Sequence, residues 1–117
     1  MVLYCEESGS VPFLEWFEGL PEKAQDKIFV RIERLKELGH EIRRPEAEYL
    51  RDDIYELRAK NKSVNYRILY FFHGRHLVVL SHGFSKQQAQ VPDGELKSAV
   101  RRKMRFLEAP GRHTYRK

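Results

Sequence analysis

Asp53-Ile54-Tyr55-Glu56-Leu57-Arg58-Ala59-Lys60, Val64-Asn65-Tyr66-Arg67-Ile68-Leu69-Tyr70-Phe71-Phe72 and Leu77-Val78-Val79-Leu80-Ser81-His82-Gly83-Phe84 are the runs that decide the fold. Successive side chains of a strand point to opposite faces, so a period of two marks a strand. The first run sets Tyr55, Leu57 and Ala59 against Ile54, Glu56, Arg58 and Lys60. The second sets Val64, Tyr66, Ile68, Tyr70 and Phe72 against Asn65, Arg67, Leu69 and Phe71. Asn61-Lys62-Ser63 and His73-Gly74-Arg75-His76 are short enough to join the three as tight antiparallel hairpins. The middle run is apolar on nearly both faces, which predicts a central strand covered by helices.

Upstream the period changes. Val2-Leu3-Tyr4-Cys5 is a short β-prone opening, broken by Glu6-Glu7-Ser8-Gly9-Ser10. Ser10 can cap a helix with Pro12 in its first turn and Phe13, Leu14, Trp16, Phe17 and Leu20 on it. After Gly19-Leu20-Pro21 a second helix is predicted from about Glu22 to Leu38. There Ala24, Ile28, Ile32, Leu35 and Leu38 fall on one face, and Gly39 follows as a C-cap. Residues 40–52, with Pro45, read as a loop. Downstream, 85–91 read as a loop and about Glu95–Leu107 as a basic helix with Leu96, Val100, Met104 and Leu107 at helical spacing. Residues 109–117 read as a flexible tail. The order β-α-α-β-β-β-α gives an α+β class: a helical hairpin packed on a small, mostly antiparallel sheet. Residues 1–117 fit a single domain by length.

Charge is unevenly spread. Residues 1–49 carry 7 Lys/Arg against 11 Asp/Glu, and residues 50–117 carry 15 against 6. A swing from −4 to +9 suggests that the second half meets an anionic partner, against the plainer reading of a solubilising surface. The single cysteine, Cys5, excludes an intrachain disulfide and fits a reducing compartment. No apolar run approaches the roughly 20 residues of a membrane span. No basic, then long apolar, N-terminal signal is visible. A cytoplasmic protein with no membrane role is expected.

Several chemistries find no support. No Gly-rich turn leads from strand to helix, and His40, His73, His76, His82 and His113 offer no zinc spacing, so neither metal nor cofactor is expected. Arg58, Arg67 and Lys86 remain, which antiparallel turns can gather at one edge of the sheet. Such cations suit RNA cleavage, because charge builds on the phosphate oxygens when a 2′-hydroxyl attacks. A structural reading competes with it. Arg58 can simply face solvent, and Arg67, in an apolar run, can pair with Glu56 or a backbone carbonyl.

Tyr55-Glu56-Leu57-Arg58, Tyr66-Arg67-Ile68-Leu69-Tyr70-Phe71-Phe72 and His82-Gly83-Phe84-Ser85-Lys86, in that order, resemble the core of the RelE/ParE toxin superfamily, in particular its phage-derived HigB-like group. Phe13-Leu14-Glu15-Trp16-Phe17 and the late basic helix fit the same RelE-like layout. The resemblance implies a type II toxin that cuts mRNA in the ribosomal A site without a metal and leaves a 2′,3′-cyclic phosphate. It implies as partners the ribosome with its mRNA, a HigA-like helix-turn-helix antitoxin, and operator DNA through the antitoxin complex only. Carried over by motif, Arg58, Arg67 and Lys86 would bind the phosphate. Lys60, Lys62, Lys97, Arg101, Arg102 and Arg105 would hold RNA. His82 is a candidate proton-transfer group by its near-neutral ordinary pKa, or else a core residue. The general base is unassigned. One departure is that Gln87-Gln88-Ala89-Gln90 follows Lys86, so no general acid comes from there. The same superfamily offers an alternative, a ParE-like toxin that docks on DNA gyrase without cutting RNA.

Overall fold

The structure, a computed structural model, describes residues 1–86 and 90–116, with the side chain of Lys86 outside the described set. The elements are β1 (Val2–Tyr4), α1 (Pro12–Phe17), α2 (Glu22–Leu38), β2 (Ala47–Arg51), β3 (Ile54–Asn61), β4 (Val64–His73), β5 (Leu77–Lys86), α3 (Asp93–Glu108) and β6 (Thr114–Tyr115), with single 3₁₀ turns at 39–41 and 110–112.

The three periodic runs form the middle of a six-stranded sheet ordered β2-β3-β4-β5-β1-β6. Neighbours pair antiparallel except β1 with β5, which run parallel. The turns obey their backbone needs: Lys62 has φ 58° between β3 and β4, and Gly74 has φ 66° between β4 and β5. Residues 66–71 of β4 are buried without a break, because helices lie on both faces. On one face Leu57, Ala59, Ile68 and Tyr70 pack against Ala24, Ile28, Ile32 and Leu35 of α2. On the other, Leu69, Phe71, Val79 and Phe84 pack against Leu96, Ala99 and Phe106 of α3. The architecture is therefore α+β, as the periodicity predicts, in three layers.

Three local expectations are corrected. Residues 40–52 are not all loop: β2 pairs with β3 through Ala47↔Leu57, Glu48↔Glu56 and Tyr49↔Tyr55. A five-residue edge strand two residues beyond Pro45 carries almost no periodic signal. The tail expected to be flexible instead returns to the sheet. β6 pairs with β1, and the buried His113 stacks on Tyr4 with centroids 5.1 Å apart. Its Nδ1–H donates to the Cys5 carbonyl at 2.8 Å, and the Cys5 N–H donates to the His113 carbonyl at 3.0 Å. Finally, Ser10 does not cap α1. Val11 holds that position, while the Ser10 hydroxyl donates to the Glu15 carboxylate at 2.9 Å. Gly39 does end α2, at φ 53°, with its N–H on the Leu35 carbonyl. Among the described residues no helix is long and apolar enough to cross a membrane.

Candidate active site

Antiparallel register places Arg58 of β3 directly opposite Arg67 of β4. Positions 56 and 58 share a face, so Glu56 lies on the same side of the sheet as both arginines. Glu48 of β2 joins them, being opposite Glu56. This is the α3 face, and Glu48, Leu50, Glu56 and Arg58 line a cleft there with Val91 and Leu96.

Two guanidiniums facing each other across a strand pair repel unless an anion lies between them. The Glu56 carboxylate, fully buried, is that anion. Arg58 Nε donates to its Oε1 at 2.6 Å and Arg67 Nη1 donates to its Oε2 at 2.5 Å. Arg58 Nη2 also donates to Glu48 Oε2 at 2.6 Å, and Arg44 pairs with the same carboxylate. Beside them, Glu46 receives Arg31 Nη1 at 2.9 Å and a two-pronged bond from Arg34, Nε and Nη2 each at 3.0 Å. The Arg34 hydrogen bonds hold the Glu46 carboxyl below the usual carboxylate range. Five guanidiniums thus interleave with three carboxylates, for a net charge of about +2. Each fork is fixed in direction before any ligand arrives, a form of preorganisation.

Arg58 keeps 30% of its side chain exposed and Arg67 only 9%, so Arg58 is the more available to a ligand. A second cleft, of about 460 Å³, opens at the end of the β3–β4 hairpin, lined by Arg31, Arg58, Lys60, Asn65 and Arg67 with Pro45 and Ala59.

Of the three expected phosphate-binding residues, Arg58 and Arg67 are brought together. The Lys86 backbone pairs with Asn65, two residues along β4 from Arg67; its side chain, and Gln87, Gln88 and Ala89 with the proton-donor question attached to them, lie outside the described residues. His82 is opposite Leu69 and 7% exposed. The Ser81 hydroxyl donates to its Nδ1 at 2.8 Å, and in the matching tautomer its Nε2–H donates to Glu95 Oε1 at 3.2 Å. Burial, with the nearby Arg102 charge, pushes the His82 pKa down to about 4. The ring is neutral near pH 7 and ties β5 to α3.

The model of a phage-derived Gp49-like protein family matches residues 15–104, which contain this whole arginine–carboxylate array. The chain belongs to that family. It is also similar, at 29% identity over 103 residues, to a Mycobacterium tuberculosis protein (strain CDC 1551 / Oshkosh) named probable endoribonuclease HigB1. That alignment covers 88% of this chain and 80% of the relative, and the protein of the same name in strain ATCC 25618 / H37Rv matches equally. The HigB-like resemblance read from the strand motifs agrees with both comparisons.

The other basic positions of this Gp49-like chain divide into two groups. Lys60 lines the hairpin-end cleft, and Lys62 is exposed at the adjoining turn. Lys97, Arg101 and Arg105 form an exposed stripe along α3, with Lys97 on Asp93 at 3.0 Å and Arg105 near Glu6 at 3.8 Å. Arg102 is half-buried, its guanidinium 5.9 Å from the centre of the Tyr4 ring. Sequence reasoning missed Arg31, Arg34, Arg44, Glu46 and Glu48 as members of the array. Glu56 did leave a signal: an acid at i, two residues before Arg58, in a strand whose other face is apolar.

Proposed function

We propose that this Gp49-like chain is the toxin of a toxin–antitoxin pair and that it cuts RNA, acting on mRNA held by the ribosome and needing no metal. The observation that carries the reading is the opposed pair Arg58 and Arg67, locked by the buried Glu56. The name of the mycobacterial relative, an endoribonuclease, supports the same class of chemistry.

In this reading the 2′-oxygen bonds to phosphorus while the P–O5′ bond breaks, leaving a 2′,3′-cyclic phosphate. One proton leaves the 2′-hydroxyl and one reaches O5′. Arg58 and Arg67, with Lys86 from the neighbouring strand, stabilise the charge gathered on the phosphate oxygens, and most strongly at the transition state. Arginine forks suit the task because they meet two oxygens at once. His82 enters as the tie between β5 and α3, since both its ring nitrogens are engaged. A helix-turn-helix antitoxin of the HigA-like kind is the neutralising partner.

The test is primer extension on mRNA in a translating extract, with and without each variant. Arg58→Ala is the cleanest substitution, because Glu56 keeps Arg67 and Glu48 keeps Arg44. It should lower the cleavage rate by about 10²-fold, and because it also takes one guanidinium from the buried Glu56, the variant's unfolding is measured alongside so that rates are compared on folded protein. Lys86→Ala should lower the rate to a similar degree. Both variants cutting at the wild-type rate would sink the site. Intact mRNA beside trapped gyrase–DNA complexes would replace RNA cleavage by docking on gyrase.

A further inference from the structure

The cleft at the end of the β3–β4 hairpin reaches past the opposed arginines to a helix. Its lining joins Arg58 and Arg67, which are on the α3 face of the sheet, to Arg31, which belongs to α2 on the other face. Lys60 and Asn65 close the strand side. The wall is therefore cationic from one face of the sheet round to the other.

Arg31 is held in place rather than left loose. Its Nη1 meets Glu46 Oε2 at 2.9 Å, and Glu46 is itself clamped by Arg34. The Glu46 backbone carbonyl accepts the Arg58 N–H at 2.9 Å, so the residue that fixes Arg31 is bonded directly to the strand carrying Arg58. Arg31 retains 31% side-chain exposure. Counting Arg31, Arg34, Arg44, Arg58, Lys60 and Arg67 against Glu46, Glu48 and Glu56, the cleft and the pairs behind it keep an excess of about +3. A surface of that sign, with planar donors at fixed positions, matches the oxygens of an anion such as a phosphodiester and not a cationic or apolar ligand.

We propose that this cleft is a second phosphate subsite for single-stranded RNA, in which Arg31 and Lys60 take the phosphodiester adjacent to the one held by Arg58 and Arg67. The inference rests on the RNA reading above and deepens it. The strand would pass round the turn end of the hairpin, between β3, β4 and the Arg31 side chain of α2. Glu46 acts as a positioning residue for Arg31.

The experiment compares two non-cleavable 2′-O-methyl ligands, a dinucleotide with one phosphodiester and a trinucleotide with two, by NMR titration of the full chain at several salt concentrations. With the wild-type protein the trinucleotide should bind severalfold more tightly, and its salt slope should be steeper by about 0.7, the single-strand value per phosphate. Arg31→Ala should abolish both differences, whereas Arg58→Ala should weaken the dinucleotide and the trinucleotide alike. Lys23→Ala, which removes the same charge from an exposed position outside the cleft, should leave both differences intact. If the trinucleotide keeps its advantage in Arg31→Ala, the second subsite is wrong, while dinucleotide binding that still depends on Arg58 keeps the first reading alive. If dinucleotide binding is indifferent to Arg58→Ala, both fall.

Discussion

Glu56 is the residue on which the site's energetics turn. Its carboxylate is out of contact with water and, among the described residues, is stabilised by the two guanidiniums it joins. Removing one member of a buried ion pair costs about 3–5 kcal/mol, because the survivor stays desolvated without compensation. Glu56→Gln should therefore lower unfolding free energy by that amount in urea, since an amide can accept from one arginine but turns its own N–H donors toward the other. Arg67→Ala should also be strongly destabilising, which makes it a poor test of chemistry alone. Replacing the Glu56–Arg67 pair together, as Glu56→Leu with Arg67→Leu, should recover part of the loss, since Arg58 retains Glu48. A Glu56→Gln variant within 1 kcal/mol of wild type would mean that the carboxylate is not what holds the arginines.

At the scale of elements, α1 is only six residues long; Phe13 is buried in the core, and Trp16 seats the helix on β5. A Cβ built on Gly83 of β5 would fall 2.1 Å from a ring carbon of Trp16, so the indole lies flat on bare backbone. Tyr66 and Phe13 frame the ring, with centroids 6.3 and 5.9 Å away. Gly83→Ala should force the indole off the sheet, at a cost of about 1–3 kcal/mol. Trp16 is the sole tryptophan, so its fluorescence reports this contact alone; unchanged emission and unchanged stability would refute the seating. The elements readable in the sequence share a cause, a long run with one dominant period. For α2 it is Ala24, Ile28, Ile32 and Leu35, and for β4 the alternation from Val64 onward. β2 and β6 escaped notice because edge strands of five and two residues bury little and alternate too briefly. The site inherited that blindness. The mid-strand charge of Arg67 demanded a partner, and Glu56 was visible as one option, but Glu48 was hidden with its strand. Arg31 left no signal, because α2 carries several other charges such as Lys23, Lys27 and Lys36.

For the whole molecule, the sheet must hold a helical layer on each face, and the two are fastened differently. The α2 side is apolar throughout its centre, whereas the α3 side includes the buried chain from Ser81 through His82 to Glu95. That chain makes stability depend on pH. In the folded protein burial keeps the His82 pKa near 4, against 6.5 for a free imidazole. Between those values the unfolded chain takes up a proton that the folded chain refuses, so stability is greatest above pH 6.5 and declines as pH falls toward 4. A shift of that size corresponds to about 3 kcal/mol across the window. Urea unfolding at pH 7 and at pH 4.5 should show most of this loss in the wild type. His82→Asn should be less stable at pH 7 and should lose less on acidification. The two proteins differ only at residue 82, so the difference between the two slopes isolates the imidazole. Parallel slopes would place the acid sensitivity elsewhere, in groups other than the buried imidazole.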